Sequence, residues 1–163
     1  MTVKNNSAAP LRVLVVCLGN ICRSPAAQGI LDESARARGV ELVLDSAGTA
    51  AYHVGNQADP RSIAELLSRG IDIRAQSARQ VSLDDFEDFD WILAMDKSNL
   101  SNLMKICPKS QANKVRLFSS FNLANINQDV EDPYYGADDG FAHMADHLAR
   151  LSQHFLDYIE TNP

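Results

Sequence analysis

Long apolar runs are missing from this 163-residue chain. Met1 to Pro10 carries no basic segment followed by an apolar one, and Val13 to Val16 is too short to serve, so neither a secretory signal nor a membrane span is expected. Cysteine is scarce and odd in number. Three residues without framework spacing suit a reducing cytoplasm rather than a disulfide-stapled secreted fold. Positive charge is in deficit: 15 Lys and Arg stand against 21 Asp and Glu, a formal net charge of −6. That balance argues against nucleic acid or an anionic membrane as the main partner. It also denies an anionic substrate any long-range steering, so an anion site here must attract locally. His143, His147 and His154 share one flank of an expected helix, but nothing like H-E-x-x-H accompanies them. They read as a solvated flank, and no metal is expected. Neither an internal repeat nor a linker is visible. The length and the 45% hydrophobic content suit one globular domain.

What is present alternates strands with helices. Residues 1–10 read as a disordered start, and residues 11–160 as a single domain. Leu11 to Val16 predicts a strand buried on both faces. Ser24-Pro25 opens a helix, with Ser24 placed to cap it and Gly39 to stop it. Leu42 to Leu44 predicts a second strand, followed by a loop from Ser46 to Asp59. Asp59-Pro60 starts a helix that Gly70 ends. Ser82 to Phe86 predicts a helical turn, Trp91 to Met95 a third strand, Lys97 to Ile106 a helix, and Val115 to Phe118 a fourth strand. Phe141, Met144, Leu148, Leu151, Phe155 and Ile159 recur at three- and four-residue steps, the stripe of a long buried helix. The expected fold class is α/β: a four-stranded, twisted, parallel sheet with helices on both faces, and ligand bound at the carboxyl ends of its strands.

One such end carries Cys17-Leu18-Gly19-Asn20-Ile21-Cys22-Arg23-Ser24-Pro25. A loop of that length can curl so that its amides converge on a tetrahedral oxyanion. Arg23 would close the site with a bidentate fork, and the Cys17 thiol lies at its base. An arginine at a helix start is disfavoured unless an anion offsets it. Ser24 could also donate to the sulfur. Attack on phosphorus by a thiolate leaves a phenolate to be displaced, whose conjugate acid has a pKa of about 10, so a carboxylic acid is needed nearby. Asp132 sits in Glu131-Asp132-Pro133-Tyr134-Tyr135-Gly136, on a stiff turn beside two aromatics.

C-x5-R followed by Ser-Pro, answered downstream by Asp-Pro-Tyr-Tyr, resembles the low-molecular-weight protein tyrosine phosphatases over about residues 11–160. The resemblance implies a cytoplasmic, cofactor-independent hydrolase of phosphotyrosine with a phosphocysteine on Cys17. Arg23 would bind the phosphoryl group, and Asp132 would act as general acid and then as general base. Leu18, Gly19, Asn20, Ile21, Cys22, Ser24 and Ser46 would form or brace the phosphate loop, Asn20 in a left-handed conformation. Leu18, Tyr52, Tyr134 and Tyr135 would wall a slot deep enough for an aryl phosphate. Gln76 stands where many members carry a loop-ordering histidine. The resemblance also implies that Cys22 captures an oxidised Cys17 as a reversible disulfide; a packed loop thiol is the alternative. Cys107 is expected to pack. The implied partner is a phosphotyrosine-bearing protein, a tyrosine kinase among the candidates, with phosphate or vanadate as inhibitory anions.

Three rivals stay open. An arginine phosphatase on this fold tends to carry threonine at the position of Ile21. An arsenate reductase would need a pair of downstream resolving cysteines, and Cys107 stands alone. A redox-regulated phosphotyrosine-binding module has no use for a general acid.

Overall fold

The computed structural model describes residues 9–134, 136 and 139–162. Four strands, β1 (Leu11–Cys17), β2 (Leu42–Gly48), β3 (Trp91–Ala94) and β4 (Val115–Leu117), form one parallel sheet in the order β2-β1-β3-β4. The helices are α1 (Arg23–Ala37), α2 (Pro60–Leu67), α3 (Leu83–Asp88), α4 (Lys97–Ile106) and α5 (Gly140–Thr161). Two short 3₁₀ turns, Lys109–Lys114 and Phe118–Phe121, flank β4. The expected α/β class and parallel four-stranded sheet are present.

Alternation along β1 divides the core. Val13 and Val15 pack with Ile30 and Leu31 of α1 and with Leu148, Leu151 and Phe155 of α5. Leu14 and Val16 face the other way, toward Phe86 of α3 and Leu103 of α4. Both faces of β1 are therefore covered, which is why its sequence is an unbroken apolar run instead of an alternating one. All six residues of the expected α5 stripe are buried. Among the described residues no helix is long and apolar enough to cross a membrane.

Two boundaries differ from expectation. β2 continues through Asp45-Ser46-Ala47 to Gly48, because its backbone pairs with β1 as far as Cys17. Ser46 thus stands on a strand and not in a loop. Helix α1 begins at Arg23 with Cys22 as its cap residue and no side-chain cap bond, so Ser24 lies inside the first turn. Its hydroxyl is committed elsewhere. Asp59 caps α2 as expected, its carboxylate accepting from the Arg61 amide, with Pro60 in the first turn. Gly39 and Gly70, at φ +70 and +81, follow α1 and α2 in the left-handed region that glycine adopts without strain.

The sheet order places β1 at the point where successive crossovers change direction, with β2 on one side and β3 on the other. In parallel α/β sheets the crevice at the carboxyl end of such strands is where ligands sit. Cys17 ends β1 there, and Asp96 follows β3 on the same edge.

Candidate active site

The loop leaving β1 wraps around the sulfur of Cys17. The backbone amides of Asn20 and Ser24 point at Sγ from 3.3 and 3.4 Å, and the Ser24 hydroxyl lies 3.1 Å away. Asn20 makes this curl possible with a left-handed φ of 59°, the one positive φ outside glycine among the described residues. Its side chain then locks the loop. Asn20 Nδ2 donates to Ser24 Oγ at 2.7 Å and to Ser46 Oγ at 2.9 Å, while Oδ1 accepts from the Arg79 amide at 2.9 Å. Because Asn20 donates to Ser24 Oγ, the serine keeps its own proton for the nearest remaining acceptor, the sulfur. The Ala47 carbonyl is farther, at 3.4 Å. Two amides and a hydroxyl therefore converge on one buried sulfur.

Arg23 is 97% buried, nearly as deep as the valines of β1. Nη1 donates to Asp96 Oδ2 at 2.6 Å and to the Val130 carbonyl at 2.9 Å, while Nη2 faces Asp132 Oδ2 at 3.6 Å. Burial works against the guanidinium charge, but Cys17, Asp96 and Asp132 outweigh it and raise the Arg23 pKa. With Nη1 anchored, Nε and Nη2 form the edge left over for an oxyanion.

Asp132 comes from the segment between the Phe118–Phe121 turn and α5. That segment is tied to the sheet where the Val130 amide donates to the Met95 carbonyl at 2.8 Å. Asp132 Oδ1 accepts from the Tyr134 amide at 3.1 Å, a turn around Pro133. Asp132 is about half exposed and lines the same hollow as Cys17 and Arg23. Leu18, Gly19, Ile21, Cys22, Tyr52, His53 and Tyr134 complete its walls. Tyr134 tilts against the His53 ring at 6.4 Å and is backed by the Arg61 guanidinium, 5.3 Å above its face. Tyr52 is a rim residue, not a deep wall: it is 74% exposed and meets His53 edge-on. Tyr135 lies outside the described residues.

Cys22 is buried beneath the loop, and burial, followed by Asp59, Asp132 and Cys17, pushes its thiol pKa well up. The Arg61 side chain holds the Asp59 carboxylate below the ordinary range, with a further hydrogen bond from Cys22. The Asp59 amide donates to the Ile21 carbonyl at 2.8 Å and Ser62 Oγ to the Cys22 carbonyl at 3.2 Å. The start of α2 is thus a brace under the loop that begins at Cys17.

Asp96, His53, Arg61 and Arg79 were not legible as site residues in the sequence. Asp96 carried a usable signal, since an acid directly after a central parallel strand sits at the crevice. Arg79, held by Asp45 and Asp85, acts through its backbone amide, which no motif reveals. The Gln76 side-chain amide donates to the Pro25 carbonyl at 3.1 Å, in the first turn of α1. Cys107 packs at the edge of the second core cluster, as expected. His143 pairs with Asp139 on the α5 surface, but His147 is half-buried, so the flank is not uniformly solvated.

The family model described as low molecular weight phosphotyrosine protein phosphatase matches residues 12–162. A low molecular weight phosphotyrosine protein phosphatase of Schizosaccharomyces pombe is 43% identical over 152 residues, covering 91% of this chain and 97% of that protein. Among solved structures, a protein tyrosine phosphatase from Entamoeba histolytica, with Hepes in its active site, superposes with a TM-score of 0.88 at 36% identity, covering 93% of this chain and 98% of that one. Vibrio vulnificus Wzb, in complex with benzylphosphonate, superposes with a TM-score of 0.80 at 27% identity, covering 92% and 99%. Sequence and fold agree along nearly the whole length, and the chain belongs to the low molecular weight phosphotyrosine protein phosphatase family.

Proposed function

We propose that this phosphatase hydrolyses phosphotyrosine in two steps through a phosphocysteine on Cys17, with Arg23 holding the phosphoryl group and Asp132 moving the proton, and without a metal ion. One observation carries the reading. The carboxylate of Asp132, the guanidinium of Arg23 and the sulfur of Cys17 line one hollow, and Asp132 is 3.6 Å from the arginine edge that is free to take an oxyanion.

In the first step the sulfur attacks phosphorus in line with the phenolic oxygen. The S–P bond forms, the P–O bond breaks, and its electron pair passes to the phenolic oxygen as Asp132 delivers a proton there. Tyrosine leaves neutral. Arg23 Nε and Nη2 and the loop amides hold the equatorial oxygens as charge redistributes. In the second step Asp132, now a carboxylate, takes a proton from water as the water oxygen attacks phosphorus. The S–P bond breaks and its electron pair returns to sulfur, where the Ser24 hydroxyl and the Asn20 and Ser24 amides receive the charge. Phosphate leaves and Asp132 is protonated again.

The hollow suits an aryl ester. Leu18, Ile21 and Tyr134 offer apolar walls, and the benzylphosphonate held by the Vibrio vulnificus relative has the shape of that group. A phosphoserine is too short to reach the sulfur past them. Ile21 offers the hollow a bulky apolar side chain, which suits an aryl group better than a guanidinium. Capture of an oxidised Cys17 by Cys22 belongs to the same proposal, with a brake: burial and Asp59 keep Cys22 protonated, which slows its attack.

The test is single-turnover hydrolysis of a phosphotyrosine peptide with chelator present. A burst of tyrosine release, with phosphate trapped on Cys17 by acid quench and absent in Cys17→Ser, is the expected result. Absence of both burst and turnover in folded, reduced protein would overturn the reading.

A further inference from the structure

Among the described residues, the hollow above Cys17 has a braced side and an open one. Tyr134 and Asp132 form the braced side, stiffened by Arg61, which stacks on Tyr134 and donates to its carbonyl at 3.2 Å. On the open side Leu18 and Tyr52 are shared with a second hollow of about 390 Å³ that runs toward the end of α4. That volume lies within the range of ordinary ligand sites, about 300–1,000 Å³.

We propose that this second groove receives the polypeptide on one side of the phosphotyrosine, seating an apolar residue between Leu18 and Ile106 and an acidic residue at Lys105. The inference rests on the tyrosine phosphatase reading above. Continuity argues for it first. A chain whose phosphotyrosine reaches Cys17 must leave the slot, and the side without a braced wall leads past Leu18 and Tyr52 into the groove. Chemistry argues for it second. Leu18 is 39% and Ile106 46% exposed, so the groove offers apolar side chains beside its polar groups. Gln80 Nε2 donates to the Thr49 carbonyl at 3.2 Å, but two other polar side chains of the rim are uncommitted among the described residues. The Asn102 amide is half-buried and makes no hydrogen bond among the described residues, and Lys105 has no carboxylate within ion-pair distance there, whereas Lys97 of the same helix pairs with Asp129. In a chain of net charge −6, such a lysine is a local positive point beside the site. An exposed ion pair of this kind discriminates between substrates by severalfold and does not set the overall rate.

The experiment uses the full chain and phosphotyrosine peptides that carry a single Glu or a single Lys at successive positions on either side of the phosphotyrosine, and a second pair with Leu or Ser between it and the preferred acid. The readout is kcat/KM for each peptide divided by kcat/KM for free phosphotyrosine. The expected result is a preference for Glu over Lys of about threefold to fivefold, confined to one side and carried by KM. Lys105→Gln should erase that preference, and Lys105→Glu should reverse it. Ile106→Asp should remove the benefit of an apolar residue between the phosphotyrosine and the preferred acid. Ratios identical in the unmodified protein and in Lys105→Glu at every position would mean that Lys105 serves only the helix terminus, and the proposal falls. Failure to hydrolyse free phosphotyrosine and every peptide would instead overturn the phosphatase reading, and this inference with it.

Discussion

At the scale of single residues, Asn20 organises more of the site than any other side chain outside the reacting groups. Its left-handed backbone turns the loop, and its amide orients Ser24, ties in Ser46 and accepts from Arg79. The groups proposed to react depend on this scaffold but are chemically separable from it. Asp132 is the clearest case: its carboxylate is about half exposed, and its only short hydrogen bond in the described residues is the local turn with Tyr134. Asp132→Asn therefore keeps the fold and loses the proton. Turnover of phosphotyrosine should fall about 10²- to 10⁴-fold, and an ester with a more acidic leaving group should lose less in the first step. Single-turnover rates on the two esters check this, and an equal loss on both would remove Asp132 from its role. Spacing made Cys17, Arg23 and Asp132 legible, because each sits in a contiguous motif. Ser24 was misjudged in one respect: the neighbouring sulfur, not the helix end, takes its hydroxyl.

At the scale of elements, α4 performs two jobs through one residue. Asp96 caps the helix by accepting from the Asn99 amide at 2.7 Å with one carboxylate oxygen, and holds Arg23 Nη1 with the other. Cap and anchor can be separated, since asparagine caps as well as aspartate. Asp96→Asn should leave α4 formed and weaken only the charged hydrogen bond, worth about 1.5–3 kcal/mol. The expected result is a fall of about tenfold to hundredfold in kcat/KM, with circular dichroism unchanged. Full activity in this variant would show that the Val130 carbonyl alone suffices to hold the guanidinium. The sequence displays Asp96 as an ordinary helix cap. Its second role exists only because β1 and β3 are neighbours in the sheet.

At the scale of the whole molecule, α5 packs along α1 and α2 and closes the larger core cluster. His147, on the same helix, is half-buried. Its Nε2 is buried without a hydrogen-bond partner among the described residues, and burial, helped by Arg150 and opposed by Glu131, lowers its pKa. The unfolded chain, with a histidine pKa of about 6.5, therefore takes up the proton first as pH falls. Stability should decline from that point down to the folded pKa and then lose nothing further from this group. Asp59 works in the other direction and in a lower window. Its carboxylate is held below the usual value by Arg61, so its contribution is complete above about pH 4 and disappears as pH drops through its folded pKa. Melting temperatures measured from about pH 8 to about pH 5 should fall more steeply in the natural protein than in His147→Gln. Parallel slopes would show that His147 is not the group responsible.

Sequence alone determined the strand that ends in a thiol, the arginine fork six residues later, the acid on its proline turn and the apolar stripe of α5. Each of these is written in contiguous residues or at a fixed helical step, so local chemistry and periodicity are sufficient. Only the tertiary structure decided that Asp96 anchors Arg23, that Arg61 stiffens Tyr134, that the Arg79 backbone completes Asn20, and that a groove lined by Lys105 shares Leu18 and Tyr52 with the slot. Those contacts join residues distant along the chain, and some act through main-chain amides whose chemistry is the same at every residue. Their partners are set by the order of strands in the sheet, and no local pattern encodes that order.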